Sequence, residues 1–175
     1  ICIRRHRPGR RGLHRGEQAV IKLYSYFRSS AAYRVRIALG LKNLQWEVIP
    51  VNLLAGEQQE EVYQAINPQR LVPALEIDGN LLTQSLAIIE YLNDMHPDPP
   101  LLPQEPLARA RVRGLAHLIA MDIHPLNNLR VMRYLGTEMS VERALELQWY
   151  KHWIAEGFTA LESSLQQQGS NGNVC

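Results

Sequence analysis

Cysteine is nearly absent from this sequence, which has two in 175 residues, Cys2 and Cys175, at opposite ends. Two cysteines so placed provide neither a disulfide framework nor a Cys-x-x-Cys metal or redox motif. No apolar run reaches the roughly 18 residues that a membrane-spanning helix needs. These absences argue against disulfide-bonded secreted domains, zinc fingers and integral membrane proteins, and we expect a cytoplasmic protein with no membrane partner.

Several motifs of enzyme active sites are also missing. We find no Walker loop, no GxGxxG fingerprint, and neither an ordered Ser/His/Asp triad nor a pair of catalytic carboxylates. His117 and His124 lie seven residues apart and could share a helical face, but no third ligand follows at metal spacing. The sequence therefore predicts no metal site.

Positive charge is concentrated at one end of the chain. Residues 1–20 hold six arginines and one glutamate, whereas the rest of the chain is acidic on balance within a total of +2. An arginine-rich arm could touch nucleic acid or an anionic membrane through nonspecific charge. It contains no aromatic residue for base stacking and no apolar stripe. We therefore predict a disordered basic extension over 1–20 and no specific nucleic-acid binding.

An alternation of strand and helix patterns begins at Ile21. Apolar and polar residues alternate over 21–27, which predicts a strand, and Ser29-Ser30 then offers an N-cap for a helix over 31–42. Ser85 is the expected cap of a later helix. The other expected elements are strands at 46–51, 72–77 and 81–83 and a short helix or loop at 56–66. The order β-α-β-α-β-β-α predicts a small α/β domain over 21–96.

A proline-rich connector separates this unit from a helical region. Residues 97–106 contain five prolines, which cannot continue a helix. Beyond them, apolar residues recur at helical spacing from about Leu107 to Leu135, with Pro125 as a break, and again from Leu147 to Leu165. We expect a linker over 97–106 followed by a helical domain over 107–175.

The best-placed polar group is Ser29, at the junction of the first strand and its helix. A helix N-terminus favours an anion, and open α/β sheets bind ligands at the carboxyl ends of their strands. If the anion is a thiolate, the Ser29 hydroxyl can donate a hydrogen bond to it and lower the pKa of the thiol. The alternative is a plain N-cap, and Ser30 carries the same ambiguity.

Three further places could meet a ligand. A cis bond at Val72-Pro73 would leave the Val72 backbone free to pair with an extended peptide, although most such bonds are trans. Gln84 and Ser85 could hold a carboxylate at the next helix N-terminus, or Ser85 could act only as a cap. The stretch from His124 to Arg130 places polar groups in an apolar helix, where they must face water or a ligand.

Four stretches in this order resemble the zeta class of glutathione transferases, the maleylacetoacetate isomerase family. They are YSYFRSSAAYRVRIAL over 24–39, Asn67-Pro68 with VPAL over 72–75, IDG over 77–79, and QSLAIIEYL over 84–92. The stretch HPLNNLRV over 124–131 matches bacterial members. The resemblance runs from about residue 21 to residue 175.

The resemblance implies a thioredoxin-like α/β N-terminal domain, an all-α C-terminal domain, a homodimer, and glutathione as cofactor. It assigns Ser29 to the glutathione sulfur, with Ser30 as its neighbour in the catalytic site. It places the Val72 backbone, beside a cis Pro73, against the cysteinyl unit. Gln84 and Ser85 would hold the γ-glutamyl end.

The resemblance also places His124 and Asn127 near the bound tripeptide or the substrate. The implied reaction is the cis-to-trans isomerisation of maleylacetoacetate to fumarylacetoacetate, in which glutathione is used but not consumed. Arg28, Arg34, Arg36 and Arg130 are the cations available for the carboxylate of this small-molecule maleyl substrate. Alternatives are a maleylpyruvate isomerase, a transferase that conjugates glutathione, and a noncatalytic thioredoxin-fold adaptor.

Two departures from the family pattern matter. Ala31 stands where many members have cysteine, so a mechanism that needs a protein thiol beside the cofactor is excluded. Family members also continue through further C-terminal helices, so we expect the C-terminal domain to be incomplete. An amphipathic stripe without its partners exposes apolar area, and we expect the chain as written to be poorly stable or inactive.

Overall fold

The structure is a computed structural model that describes residues 20–169, except for the side chains of residues 168 and 169. The predicted basic extension, apart from Val20, lies outside the described residues, as do both cysteines. The strands are β1 (Ile21–Ser25), β2 (Glu47–Pro50), β3 (Ala74–Ile77) and β4 (Asn80–Thr83). The α-helices are α1 (Ser30–Leu41), α2 (Glu61–Ile66), α3 (Ser85–Met95), α4 (Pro106–His117), α5 (Leu129–Thr137) and α6 (Arg143–Gly169).

The four strands form one sheet in the order β2-β1-β3-β4. β1 pairs with β2 in parallel, because α1 supplies the crossover that a parallel pair requires. β3 runs antiparallel to both of its neighbours, and the turn at Asp78 and Gly79 connects it to β4. Gly79 has φ +73°, a conformation that favours glycine. This is the predicted thioredoxin-like arrangement.

The core of the sheet unit lies between the sheet and the pair α1 and α3. Alternation along β1 buries Ile21, Leu23 and Ser25 on this face. Leu39 of α1 and Ile88 of α3 are completely buried against them. The strand predicted over 21–27 is two residues too long, because the chain turns after Ser25 and Phe27 is 75% exposed. The Ser29 N–H donates to the Tyr26 carbonyl at 2.9 Å and closes that turn.

From Pro106 onward the described chain is mainly helical, as predicted. No helix or strand occurs over residues 97–105. α4 continues as a π-helical stretch, Leu118–Ile123, and a 3₁₀ turn, Pro125–Asn127, before α5 begins. The His124 N–H donates to the Ile119 carbonyl at 3.0 Å, five residues back, which is the π-helical pattern. Pro125 marks the break that the sequence predicted, because it has no N–H to donate.

α6 packs across this irregular helix. Trp149 donates from Nε1 to the Leu126 carbonyl at 2.9 Å. Gly157 lies directly against the side chain of Ile123, where a Cβ would collide with it. Leu147, Tyr150 and Phe158 on α6 are between 41% and 47% exposed, so the described residues leave part of the predicted stripe uncovered.

Candidate active site

The turn from β1 into α1 presents the N-terminus of a helix. Ser29 caps α1, and its Oγ accepts a hydrogen bond from the Ala32 N–H at 3.2 Å. This leaves the hydroxyl proton of the half-buried Ser29 available to a ligand. The first turn of α1 contains no acidic residue that would neutralise the positive end of the helix. The cap that the sequence predicted is confirmed.

Arg36 holds this turn in place. Its guanidinium donates to the Ser25 hydroxyl at 3.0 Å and to the Phe27 carbonyl at 3.1 Å. A longer bond of 3.4 Å reaches the Tyr26 carbonyl, and the cation lies 5.2 Å from the centre of the Tyr33 ring. Arg36 is therefore committed to the backbone that carries Ser29 and is not a candidate for binding a carboxylate.

A chain of three polar side chains joins α1 to the helical region. The Asn128 amide Nδ2 lies 3.3 Å from His124 Nε2, and His124 Nδ1 lies 3.1 Å from the Ser30 hydroxyl. Because the amide nitrogen can only donate, Nε2 accepts and Nδ1 carries the proton of the neutral ring. The Ser30 hydroxyl then accepts from Nδ1 and keeps its own proton for a ligand. Burial, and to a lesser degree the charge of Arg34, lowers the pKa of His124 and so favours its neutral form.

The segment before β3 offers unpaired backbone groups. The Val72–Pro73 peptide bond is cis, as considered from the sequence. The N–H and the C=O of Val72 have no hydrogen-bond partner within residues 20–169. Val72 is otherwise buried, so both groups are positioned to pair with an extended peptide-like ligand.

The N-terminus of α3 differs in one detail from the prediction. Ser85 is the first helical residue and not the cap; Gln84 occupies the cap position with φ +69° and makes no capping hydrogen bond. The Gln84 side chain instead donates to Gln69 Oε1 at 2.8 Å. The first N–H groups of α3 therefore have no side-chain cap, which leaves the helix end open to a carboxylate.

These features surround one cleft of about 570 Å³ between the sheet unit and the helical region. Of the predicted site residues, five line it: Val72, Pro73, Gln84, Ser85 and His124. The residues at positions 117, 120, 121 and 124 form the opposite wall, with the spacing of one helical face. A shallower groove of about 810 Å³ along α6 shares no residue with this cleft.

Three predicted site residues lie outside the cleft lining. Ser29 and Ser30 come directly before Ala31, which lines the cleft, and Ser30 contacts the cleft wall through His124. The carboxamide of Asn127 is buried and has no partner among the described residues. The neighbouring Asn128 lines the cleft instead and also caps α5, accepting from the Arg130 N–H at 3.1 Å. Which of these residues meets a ligand stays a prediction.

Two of the four arginines that the sequence offered for the carboxylate of the substrate lie in the cleft. Arg34 and Arg130 line it, whereas Arg28 is exposed and does not. Glu90 also lines the cleft, but Arg113 holds its carboxylate through two bonds of 2.7 and 2.8 Å and lowers its pKa. A spacing of four residues from Ser30 was the available signal for Arg34, since it places both side chains on one face of α1.

Other kinds of site are not found in the described part of the chain. No group of three or more His, Cys, Asp or Glu side chains within residues 20–169 is arranged to hold a metal ion. Among the described helices, none combines the length and the apolar character needed to cross a bilayer.

Residues 19–94 match the family model described as glutathione S-transferase, N-terminal domain. The maleylacetoacetate isomerase of Pseudomonas aeruginosa is 49% identical over 152 residues, covering 85% of this chain and 71% of that protein. A holo structure of a maleylpyruvate isomerase, a bacterial zeta-class glutathione S-transferase, is 43% identical with a TM-score of 0.81, covering 83% of this chain and 68% of that one. A maleylacetoacetate isomerase from Methylobacterium extorquens, solved with bound malonate and glutathione, is 45% identical with a TM-score of 0.80 and the same coverage.

Proposed function

Because the chain belongs to the zeta-class glutathione transferases, the family of the maleylacetoacetate isomerases, we propose that it catalyses the glutathione-dependent isomerisation of maleylacetoacetate to fumarylacetoacetate. The observation that carries this proposal is the cleft. In it, the unpaired Val72 backbone and the uncapped N-terminus of α3 lie across from a neutral His124 that is tied to Ser30. This combination suits a peptide that has a carboxylate at one end and a reactive group at the other.

The residues present fit glutathione, a tripeptide with a carboxylate on its γ-glutamyl unit. The Val72 N–H and C=O would pair with the backbone of the cysteinyl unit. The open N-terminus of α3, with the Ser85 hydroxyl and the Gln84 amide, would hold the γ-glutamyl carboxylate. Asn128 and Ser30 fix the orientation of His124 at the opposite wall.

The N-terminus of α1 would ionise the thiol. A free thiol has a pKa of about 8.5 and is mostly neutral at pH 7. The Ser29 hydroxyl and the positive end of α1 both favour the charged form, and together they would lower that pKa. Glutathione supplies the nucleophilic sulfur, whose addition to the double bond of the maleyl unit lets that bond rotate before the sulfur leaves. Ala31 stands where many family members have a cysteine, so this position supplies no protein thiol beside Ser29.

We also propose that the protein is a cytoplasmic homodimer. The family resemblance supports the dimer, and exposed apolar side chains such as Phe27 and Leu81, 75% and 41% exposed, are available to a second copy. The small number of cysteines fits a reducing compartment. Sedimentation equilibrium of the purified chain measures the assembly state, and a monomer at micromolar concentration would contradict the dimer.

Turnover of maleylacetoacetate with substoichiometric glutathione tests the function. We expect fumarylacetoacetate to form over many cycles while the glutathione concentration stays constant. Loss of glutathione in proportion to product would indicate a conjugating transferase instead. Absence of glutathione binding by calorimetry would favour the noncatalytic adaptor. The expectation from the sequence that this chain is poorly stable or inactive predicts no product in the same assay, so the measurement decides between the two outcomes.

Maleylpyruvate isomerisation is the second candidate. A solved maleylpyruvate isomerase matches this chain with a TM-score of 0.81, and a solved maleylacetoacetate isomerase matches it with a TM-score of 0.80. The two substrates share the maleyl unit and differ beyond it. The ratio of kcat/KM for the two substrates, measured on one preparation, decides between them. A ratio that favours maleylpyruvate by tenfold or more, about 1.4 kcal/mol, would reverse the assignment.

A further inference from the structure

Arg34 is a cation without a partner. It lies on α1, one turn after Ser30, and its side chain lines the cleft. Its Nε is buried without a hydrogen-bond partner, and no described residue accepts a hydrogen bond from any part of its guanidinium. Removing a cation from water is costly unless an anion and hydrogen bonds compensate it.

The surrounding charges supply no such anion. Glu90 is the carboxylate that lines this cleft, and Arg113 already occupies both of its oxygens. Burial and, to a lesser degree, the charge of Arg34 lower the pKa of His124 and favour its neutral form, so this side chain supplies no negative charge. Arg130 adds a second, exposed positive charge. The cleft therefore has an excess of positive charge, and an anionic ligand would compensate the buried part of it.

The position of Arg34 distinguishes between the possible anions. The γ-glutamyl carboxylate is assigned to the N-terminus of α3, on another element. Arg34 instead shares a face of α1 with Ser30, whose hydroxyl contacts His124, and Ser30 directly follows Ser29 at the start of this helix. In a maleyl compound a carboxylate is bonded directly to the double bond that the sulfur attacks. That carboxylate must lie within a few ångströms of the thiol, at the same end of the cleft.

We propose that Arg34 binds the carboxylate next to the double bond of the electrophilic substrate and so selects substrates that carry one. This inference rests on the proposed function and identifies one residue of its substrate site. A guanidinium matches a carboxylate with two parallel N–H donors, which Lys cannot reproduce. Arg34 thereby fixes the position of the double bond relative to the sulfur.

Calorimetric titration with malonate, a dicarboxylate without a double bond, tests the site without turnover. In the presence of glutathione, we expect Arg34→Gln to weaken malonate binding by about tenfold or more, as for the loss of a charge-assisted hydrogen bond. Arg34→Lys should show an intermediate loss. Arg111→Gln removes an exposed arginine of α4 and is the matched control, for which we expect no change. Glutathione affinity should be the same in all four proteins.

Thermal unfolding separates binding from structure. Arg34→Gln removes an uncompensated cation, so the variant should unfold at the same temperature as the wild type or higher, whereas a structural arginine would give a lower temperature. Equal malonate affinity in wild type and Arg34→Gln, or no malonate binding by the wild type, would overturn the inference. So would a loss of glutathione affinity alone, which would assign Arg34 to the cofactor. Malonate binding that depends on Arg34 in a protein without isomerase activity would support the carboxylate site and reject the proposed function.

Discussion

Ser29 has one observed role and one proposed role, and variants at this position can separate them. Its Oγ caps α1 by accepting from the Ala32 N–H at 3.2 Å, and in the proposed function its hydroxyl donates to the thiol of glutathione. Ser29→Ala should lower the free energy of unfolding by about 1 kcal/mol through loss of the cap. It should also raise the pKa of bound glutathione by about 1–2 units, because a hydrogen bond to a charged group contributes about 1.5–3 kcal/mol.

Two further variants at this position isolate each role. Ser29→Thr keeps both the cap and the hydroxyl, so stability and pH profile should stay close to those of the wild type. Ser29→Asp keeps the cap, since aspartate is as good an N-cap as serine, but places a negative charge beside the sulfur. We expect this variant to be as stable as the wild type and to have the highest thiol pKa of the series.

The assay combines urea unfolding with thiolate absorbance of the glutathione complex as a function of pH. Turnover of Ser29→Ala should recover partly at high pH, where the thiol ionises without help. The reasoning is refuted if Ser29→Ala and Ser29→Asp share the wild-type thiol pKa. It is also refuted if Ser29→Asp is as destabilised as Ser29→Ala, because the serine would then not act as a cap.

Two other perturbations follow from buried polar groups. Lys42 is 6% exposed, and its ammonium donates to Asn93 and to the carbonyls of His96 and Pro99. Lys42→Met should therefore lower the free energy of unfolding by about 3 kcal/mol in urea titrations. Lys22→Met, at a partly exposed ion pair with Glu76, should change it little. The pKa of His124 is lower in the folded protein than in the unfolded chain. As the pH falls below the ordinary value of 6.5, the unfolded chain therefore binds a proton at His124 more readily than the folded protein, and the free energy of unfolding should decrease. Urea unfolding of wild type and His124→Asn from about pH 7 to about pH 5 measures this, and an equal slope in both proteins would contradict it.

The sheet unit was predictable because its signals are local. Alternation over 21–25, the Ser29 cap and the turn at Asp78-Gly79 each depend on residues within one element of the chain. The error at Ser85 has a local cause as well, since serine is a common cap and glutamine is not. Gln84 takes the cap position with a positive φ and leaves the helix end unpaired, which sequence propensity does not indicate.

The arrangement of the candidate site was less predictable, because it depends on contacts between distant segments. Ser30 and His124 are 94 positions apart, and no spacing rule relates them. The π-helical stretch before His124 changes the angle at which later side chains leave the helix. Asn128 reaches the imidazole and lines the cleft, while Asn127, the residue assigned by resemblance, does not line it.

The arginines show how physical context selects among chemically identical residues. Arg34 and Arg36 are two positions apart on α1, so they leave the helix on different sides. Arg36 reaches back to the turn after β1 and uses its donors on that backbone. Arg34 lines the cleft, and its buried Nε finds no acceptor among the described residues. A single helix thus holds the loop that carries Ser29 with one guanidinium and leaves the other guanidinium available to a ligand. In the proposed function, this rigid helix would couple the geometry of the sulfur site to that of the carboxylate site.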